Sequence, residues 1–348
     1  MNILELNFEK TWRGGERQTL YNMQGFKNSG HQVFLLCFKN SPLEAKAKAE
    51  GFKVFSFNNI FNAFFFLLFK CRRYDILHAQ SSHILTYAVL AKKIHGKKII
   101  FTRRIFKTPK GIFTKWKYLL TDRIIAISPA IKDVIENFVK KNVVVISDIT
   151  EEKKINRQRA ESLIRNLLIK EGAFIIGTTA ALTKEKGPFV MIEAIQKLSN
   201  KRNDFVFLHF GSGHLENDMK EHIKKYKLEN IYYLMGFIEN VEDVFSVLNL
   251  FVMSSEMEGL GSSVLDAFIY KVPVVSTDAG GLPELLKDGR GILCKKNSPE
   301  SLALGIEKLF TNPEMIAKIT SDAFIYAKKF HSLEYITKQY TDLIESMQ

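Results

Sequence analysis

The sequence predicts an α/β protein of two domains, each a parallel sheet covered by helices on both faces. Three observations predict it. Short apolar runs alternate with helical segments, the runs fall into two series, and a charged stretch poor in apolar residues separates the series. The first series is "NILEL", "QVFLLCF", "FKVFSF", "YDILHA", "KKIIFT", "RIIAIS" and "VVVIS". The second is "FIIGTT", "FVFLHF", "IYYLMG", "LNLFVMS", "VPVVST" and "GILC". Val, Ile and Phe fill these runs without strict alternation, as strands buried on both sides require. The stretch between, "SDITEEKKINRQRAESLIRNLLIKEG", reads as a linker and a lead-in helix. Domains are expected over 1–160 and 161–325. A C-terminal helix over 326–348 is expected to pack back toward the first domain.

The composition, 46% hydrophobic and 25% charged over 348 residues, suits two globular domains. Cys37, Cys71 and Cys294 are far apart and lack metal or redox spacing, which points to a reducing, cytoplasmic setting. "MNILELNFEK" has neither the basic start nor the apolar core of a secretion signal. The most apolar run, Ile60 to Phe69, is far shorter than the roughly 20 residues that cross a bilayer. It reads as a buried helix, the alternative being that its Phe side chains dip into an anionic leaflet. Residues 1–150 hold 25 Lys and Arg against 10 acids, and the remainder 25 against 27. The first domain should therefore face something negative, with the inner face of the cytoplasmic membrane as one docking place.

Open parallel sheets bind ligands beyond the carboxyl ends of their strands, so motifs there carry most weight. "LNLFVMSSEMEGLGSSVLDAF" runs from strand to glycine-rich loop to a helix starting near Ser262 or Ser263. Ser263 and Asp266 fit a capping box, and Asp266 equally fits a ligand contact. Glu258 has no capping role. A carboxylate before such a turn accepts hydrogen bonds from sugar hydroxyls, while free amides at the helix start favour phosphate.

With "VPVVSTDAGGLPELLKDGRGILC" following, this segment resembles the E-x7-E signature of the family 4 glycosyltransferases of the GT-B fold, with Asp266 in place of the second glutamate. The resemblance implies two Rossmann-like domains with parallel sheets facing a central cleft. It implies that Glu258 contacts the donor sugar, that the backbone from Leu260 through Gly261, Ser262 and Ser263 meets sugar hydroxyls and phosphate, and that Asp266 holds the ribose. Downstream, Gly280 and Gly281 read either as part of that signature or as an ordinary turn.

"IIGTTAALTKEKGPFV" resembles the family's G-R-L-x-x-x-K-G segment at Leu182, Lys186 and Gly187. Ala181 stands where the arginine is usual, which leaves the donor diphosphate to Lys186, with Lys184 as helper or as plain solvated lysine. Gly211 and Gly213 resemble the G-x-G near the nucleobase, and Gly236 and Phe237 a second segment that approaches the base.

In the first half, Gly14 and Gly15 precede an amphipathic helix, and their segment "GGER", ending in Arg17, resembles the family's "GGxER" entry, which faces donor phosphate and acceptor. The segments holding His78 and Gln80, and Arg103 and Arg104, resemble cleft-lining histidine motifs, with Gln80 and Arg104 replacing histidines. The resemblance implies that His78, with Glu258, positions the sugar. It places Arg17, Gln80, Arg103 and Arg104 toward an acceptor, and arginine there suits an anionic one.

The activity implied is metal-independent, retaining transfer of a hexosyl or related group from a nucleotide-diphosphate sugar, used as co-substrate, to a lipid-linked or lipopolysaccharide-type glycan. No D-x-D and no close His pair with acids provides a metal site, and no cofactor is expected. The absence of G-x-G-x-x-G argues against a dinucleotide dehydrogenase. A nucleotide-sugar epimerase of the same fold, a nucleic-acid-binding protein and a non-catalytic nucleotide-sugar sensor remain open at this stage. No nucleic-acid recognition motif supports the second of these, so no nucleic-acid partner is expected.

Overall fold

The computed structural model describes residues 1–347, so Gln348, the last position of the expected C-terminal helix, lies outside the described residues. The chain forms two compact units, Met1–Ile149 with the tail from His331, and Thr150–Phe330. The sequence reading set these limits at 160 and 326.

The first unit carries seven strands: β1 (Asn2–Asn7), β2 (Gln32–Phe38), β3 (Lys53–Phe57), β4 (Ile76–Ala79), β5 (Lys98–Arg103), β6 (Arg123–Ala126) and β7 (Val144–Val145). Its helices are α1 (Gly14–Asn28), α2 (Pro42–Ala49), α3 (Ile60–Lys70), α4 (Ser82–His95), α5 (Ile112–Leu120) and α6 (Pro129–Val139). The strands pair in parallel in the order β3-β2-β1-β4-β5-β6-β7. The order reverses between β1 and β4, which makes their carboxyl ends the switch point of the sheet.

The second unit begins with α7 (Arg157–Ile164), the lead-in helix, and continues through β8 (Phe174–Thr179), α8 (Pro188–Ser199), β9 (Phe205–Phe210), α9 (Glu216–Lys225) and β10 (Tyr232–Gly236). It is completed by β11 (Leu250–Met253), α10 (Ser262–Ile269), β12 (Val274–Thr277), α11 (Leu282–Leu286), β13 (Ile292–Cys294), α12 (Pro299–Phe310) and α13 (Pro313–Phe330). Its parallel sheet runs β10-β9-β8-β11-β12-β13, with the switch between β8 and β11. The last helix, α14 (Leu333–Glu345), belongs to the first unit.

Local chemistry explains the helix starts. In α2, α6 and α12 a serine is followed by proline at the first helical position, and the Ser41, Ser128 and Ser298 hydroxyls accept from the amides of Glu44, Ile131 and Ser301. Proline loses no hydrogen bond there, and serine satisfies an amide that the helix leaves open. The strands have buried faces on both sides; all four residues of β4 and of β11 are buried.

The core of the first unit gathers Ile3, Leu35, Ile76, Ile100 and Ile125 from its central strands with Phe26 of α1 and Ile336, Tyr340 and Ile344 of α14. These last three recur every four residues and so form one apolar stripe. Gly25 permits the approach of α14 to α1, because a Cβ at that position would lie 1.9 Å from Thr337 Oγ1.

The apolar run expected as a buried helix is α3, and it is only half buried. Phe66, Leu67 and Leu68 pack inward, whereas Phe61, Phe65 and Phe69 are 69%, 56% and 66% exposed. An eleven-residue helix packed by one side against a sheet must present its other side outward, whatever residues stand there.

Candidate functional site

In the second unit the site is built where β8 and β11 end, side by side at the switch point. The loop after β8 turns through a short 3-10 segment, Lys184–Lys186, and Gly187 leaves it with φ +59°. A Cβ on Gly187 would lie 2.2 Å from Ser254 O, so glycine is what lets this loop press against the loop after β11. The two loops are joined by backbone: the Glu256 and Met257 amides donate to Glu185 O at 2.9 and 3.2 Å, and Ser254 Oγ donates to Lys186 O at 2.9 Å.

This seam places Lys186 Nζ on Glu258 Oε2 as an ion pair, with Ser255 Oγ donating to the same oxygen at 3.2 Å. Both side chains remain partly open, 27% for Lys186 and 13% for Glu258. The Glu258 backbone is fixed in turn by the Gly281 amide, which donates to its carbonyl at 3.2 Å. Gly280 has φ +56° and stands so close that a Cβ there would lie 1.8 Å from Glu258 O.

Beyond Glu258, Leu260 is buried and anchors the turn, and Gly261 precedes α10 with φ +106°. No side chain caps α10. Its first amides, Ser262 and Ser263, stand at the positive end of the helix dipole, where an anion is favoured. The capping-box reading of Ser263 and Asp266 is therefore corrected: the helix begins one residue before Ser263, whose hydroxyl donates to Thr179 O at 3.3 Å. Asp266 lies a turn further in and is 8% exposed. Capping fails on position alone, because the open amides of a helix belong to its first turn.

The ends of β9 and β10 close instead on the loop after β8. The Gly211 amide donates to Gly236 O at 2.7 Å, joining the ends of β9 and β10, and a Cβ on Gly211 would lie 2.0 Å from Ala180 O. Gly213 meets Leu182 O in the same way, at 2.3 Å from a built Cβ. His209, one residue before the end of β9, shares a hydrogen bond with Tyr232 OH at 2.8 Å and another with Ala180 O at 3.1 Å. Complete burial holds its imidazole neutral, with a pKa lowered to about 4, so Nε2–H donates to the carbonyl and Nδ1 accepts from the phenol. Phe237, just past β10, is 62% exposed.

In the first unit the carboxyl ends of β1 and β4 carry a buried polar network. His78 Nδ1 pairs with Glu5 Oε1 at 2.8 Å, and His78 Nε2 with Thr102 Oγ1 at 2.8 Å. Thr102 Oγ1 lies 3.0 Å from Tyr340 OH of α14, and Gln80 Nε2 donates to Glu5 Oε2 at 2.7 Å. Arg104 Nη1 donates to Gln80 Oε1 at 2.5 Å, and its Nε donates to Asp148 Oδ1 at 3.2 Å. Gly14 and Gly15 form the first turn of α1 rather than a loop before it. Glu16 caps that helix through the Arg13 amide; its burial raises the carboxyl pKa, against the lowering effect of that bond and of Asn7. Arg17 lies in the same turn, half buried.

Two sequence assignments change here. His78 has no exposed surface and both ring nitrogens are engaged, so it organises the strand ends from within rather than touching a sugar. Arg103 is 6% exposed, donates to Tyr118 OH at 2.6 Å and also to Lys107 O, and so anchors the loop after β5 instead of reaching an acceptor. Gln80 and Arg104 are joined to each other at the edge of the network. Glu5, Thr102, Asp148 and Tyr340 were not singled out from sequence. An acid inside the buried run "NILEL" was the one available signal, since a buried carboxylate requires partners. Among the described residues no three His, Cys, Asp or Glu side chains are grouped to hold a metal ion.

Comparison with known proteins divides along the same two halves. The model described as "Glycosyltransferase Family 4" matches residues 12–148, and that described as "Glycosyl transferases group 1" matches 159–325. The uncharacterized glycosyltransferase MJ1178 of Methanocaldococcus jannaschii is 27% identical over 251 residues, 71% of this chain and 64% of its own length. The amylovoran biosynthesis glycosyltransferase AmsK of Erwinia amylovora is 31% identical over 135 residues, 36% of this chain and 33% of its own. These matches therefore span less than two thirds of either relative. The crystal structure of Anabaena HepE with UDP-glucose superimposes with a TM-score of 0.87 at 18% identity, over 99% of this chain and all of that one. That likeness speaks to the fold, which is GT-B.

Proposed function

We propose, from the premise that this chain belongs to the family 4 glycosyltransferases, that it moves a sugar from a nucleotide-diphosphate donor to a lipid-linked or lipopolysaccharide-type glycan, with retention of anomeric configuration. The observation that carries the reading is the Lys186–Glu258 pair set at the β8/β11 switch point, beside the uncapped start of α10. A diphosphate binds where cationic and amide donors converge, and Lys186 with the Ser262 and Ser263 amides offers both. Glu258, released from Lys186 as phosphate takes over the ammonium, accepts from donor-sugar hydroxyls. Asp266 accepts from the ribose, and the strand ends at Gly211, Gly236 and Phe237 receive the base.

When the glycosidic bond breaks, negative charge develops on the departing diphosphate. Donors already aimed at it lower that barrier, because they need no reorganisation during reaction. The acceptor oxygen bonds to the anomeric carbon on the face the diphosphate leaves and gives its proton to that diphosphate, which retains configuration without an enzymic nucleophile or a metal. Arg17, Gln80 and Arg104 in the first unit serve the acceptor. AmsK, named for amylovoran biosynthesis, supports a glycan acceptor, and HepE, solved with UDP-glucose, supports a UDP-sugar donor. The setting is the cytoplasmic side of a membrane, with the basic first unit toward the lipid.

A thermal-shift panel of nucleoside diphosphates and their sugars tests the donor, since a ligand that binds only the folded state raises its melting temperature. NMR of the product then reads the anomer. No response to any nucleotide would refute the reading, and conversion of the donor without acceptor would mark isomerisation instead.

A further inference from the structure

Residues 51–121 contain fourteen Lys and Arg and a single acid, Asp75. Their net charge of +13 equals the formal charge of the whole chain. This segment contains α3, α4 and α5, three neighbouring helices of the first unit. They also bear an unusual concentration of exposed large apolar side chains. On α3 these are Phe61, Phe65 and Phe69, spaced four apart on one stripe. On α5, Ile112 and Phe113 are 79% and 82% exposed, with Trp116 and Leu119 beside them, and Leu90 and Ile94 of α4 lie between. Thr86 and Leu90 of α4 and Ile112, Phe113 and Trp116 of α5 line an apolar pocket of about 770 Å³. The ammonium of Lys117 at its wall is turned onto Ser82 and Thr86, which leaves the pocket surface almost wholly apolar.

Exposed cations flank this surface: Lys70, Arg72 and Arg73 follow the α3 stripe, and Lys107, Lys110 and Lys115 surround the start of α5. Aromatic and aliphatic side chains within a basic rim are what a helix needs to lie in an anionic lipid interface. No helix among the described residues is long and apolar enough to cross a membrane, and α3 has eleven residues, so this surface is suited to lying on a bilayer rather than spanning it.

We infer that the α3–α4–α5 face docks on an anionic bilayer, with Phe61, Phe65, Phe69, Ile112, Phe113 and Trp116 entering the interfacial layer and the flanking cations meeting lipid headgroups. Charge decides among occupants. A second copy would bring two +13 segments together and be repelled, whereas anionic lipid is complementary to rim and centre alike. Arg103, held by Tyr118 and the Lys107 carbonyl, ties the loop after β5 to α5 and so gives the docking face a fixed shape. The inference goes beyond the transfer reaction and stands whether or not the donor site is assigned correctly.

The test is co-sedimentation of the full chain with phosphatidylcholine vesicles, with and without phosphatidylglycerol, at low and high salt. Binding is expected only with phosphatidylglycerol, and salt should weaken it. The I112S/F113S variant should lose at least about tenfold in binding through lost apolar burial, and K110E/K115E at least about tenfold through lost headgroup attraction. Both should keep the wild-type melting temperature, since these side chains are exposed. Equal binding to neutral vesicles, undiminished binding by either variant, or no binding at all would overturn the inference. So would a concentration-dependent dimer, seen by sedimentation velocity, that I112S/F113S abolishes.

Discussion

Replacing Gly280 with alanine should damage both the fold of the second unit and the placement of Glu258. Gly280 has φ +56°, and an L-residue held in that region costs about 1–2 kcal/mol. The added Cβ would also stand 1.8 Å from Glu258 O and 2.9 Å from its carbonyl carbon. Ordinary carbon contacts begin near 3.5 Å, so the Glu258 backbone would have to move by roughly 1.5 Å, and such overpacking adds about 1–3 kcal/mol. Gly289 supplies the control in the same unit: its φ is +80°, but nothing lies within 4 Å of a built Cβ. Gly289→Ala therefore isolates the backbone cost and Gly280→Ala adds the collision. For a unit of this size each kcal/mol lowers the melting temperature by about 2–4 °C. Melting should thus fall by roughly 4 °C in the control and roughly 10 °C in Gly280→Ala. Transfer by the folded Gly280→Ala protein should drop about a hundredfold, because a shift of about 1 Å in a positioning group has that effect. Equal melting of the two variants, or full transfer by Gly280→Ala, would refute the reasoning.

Removing either member of the pair at the switch point, by Lys186→Ala or Glu258→Gln, should lower transfer about 10²- to 10³-fold while leaving melting nearly unchanged, since both side chains are partly solvated; steady-state transfer assays with melting curves check this. His209 should make the protein sensitive to acid. Its folded pKa of about 4 lies below the usual 6.5, so between those values the unfolded chain holds a proton that the native state does not, and stability falls as pH drops through that window. The loss amounts to roughly 3 kcal/mol, and His209→Gln should flatten the acid limb of the stability curve; an unchanged limb would exclude His209 as its source. Burial pushes the Cys37 and Cys71 thiols up to about 12 and the Cys294 thiol up to about 11. Iodoacetamide at neutral pH should therefore label none of them until the protein is unfolded, as intact-mass measurement would show.

The strands were legible in the sequence because burial on both faces leaves continuous Val, Ile and Phe runs, which solvent-exposed segments do not sustain. The loop after β11 was legible because Glu258, Gly261 and the two serines fall close together in sequence, so one short window contained strand, turn and helix start. The network around His78 was not. Its members Glu5, Thr102, Asp148 and Tyr340 are scattered along the chain and meet only once the sheet is formed. Local spacing also misled at Ser263 and Asp266, where S-x-x-D appeared with the right separation two residues past the N-cap, Gly261. For α3, composition suggested full burial, but the spacing of Phe61, Phe65 and Phe69 assigns them to one side, and only packing decides which side faces inward.

The return of α14 to the first unit has a consequence for biosynthesis. A ribosome completes all of the second unit before it makes Ile336, Tyr340 and Ile344, which complete the core under α1. The usual order in which the amino-terminal domain matures first is therefore inverted. Until those residues emerge, Thr102 waits for its Tyr340 hydroxyl and a strip of the nascent first unit stays uncovered. Premature termination between Phe330 and α14 would leave an intact second unit joined to an unfinished partner, the kind of product that chaperones and proteases recognise by its exposed apolar surface.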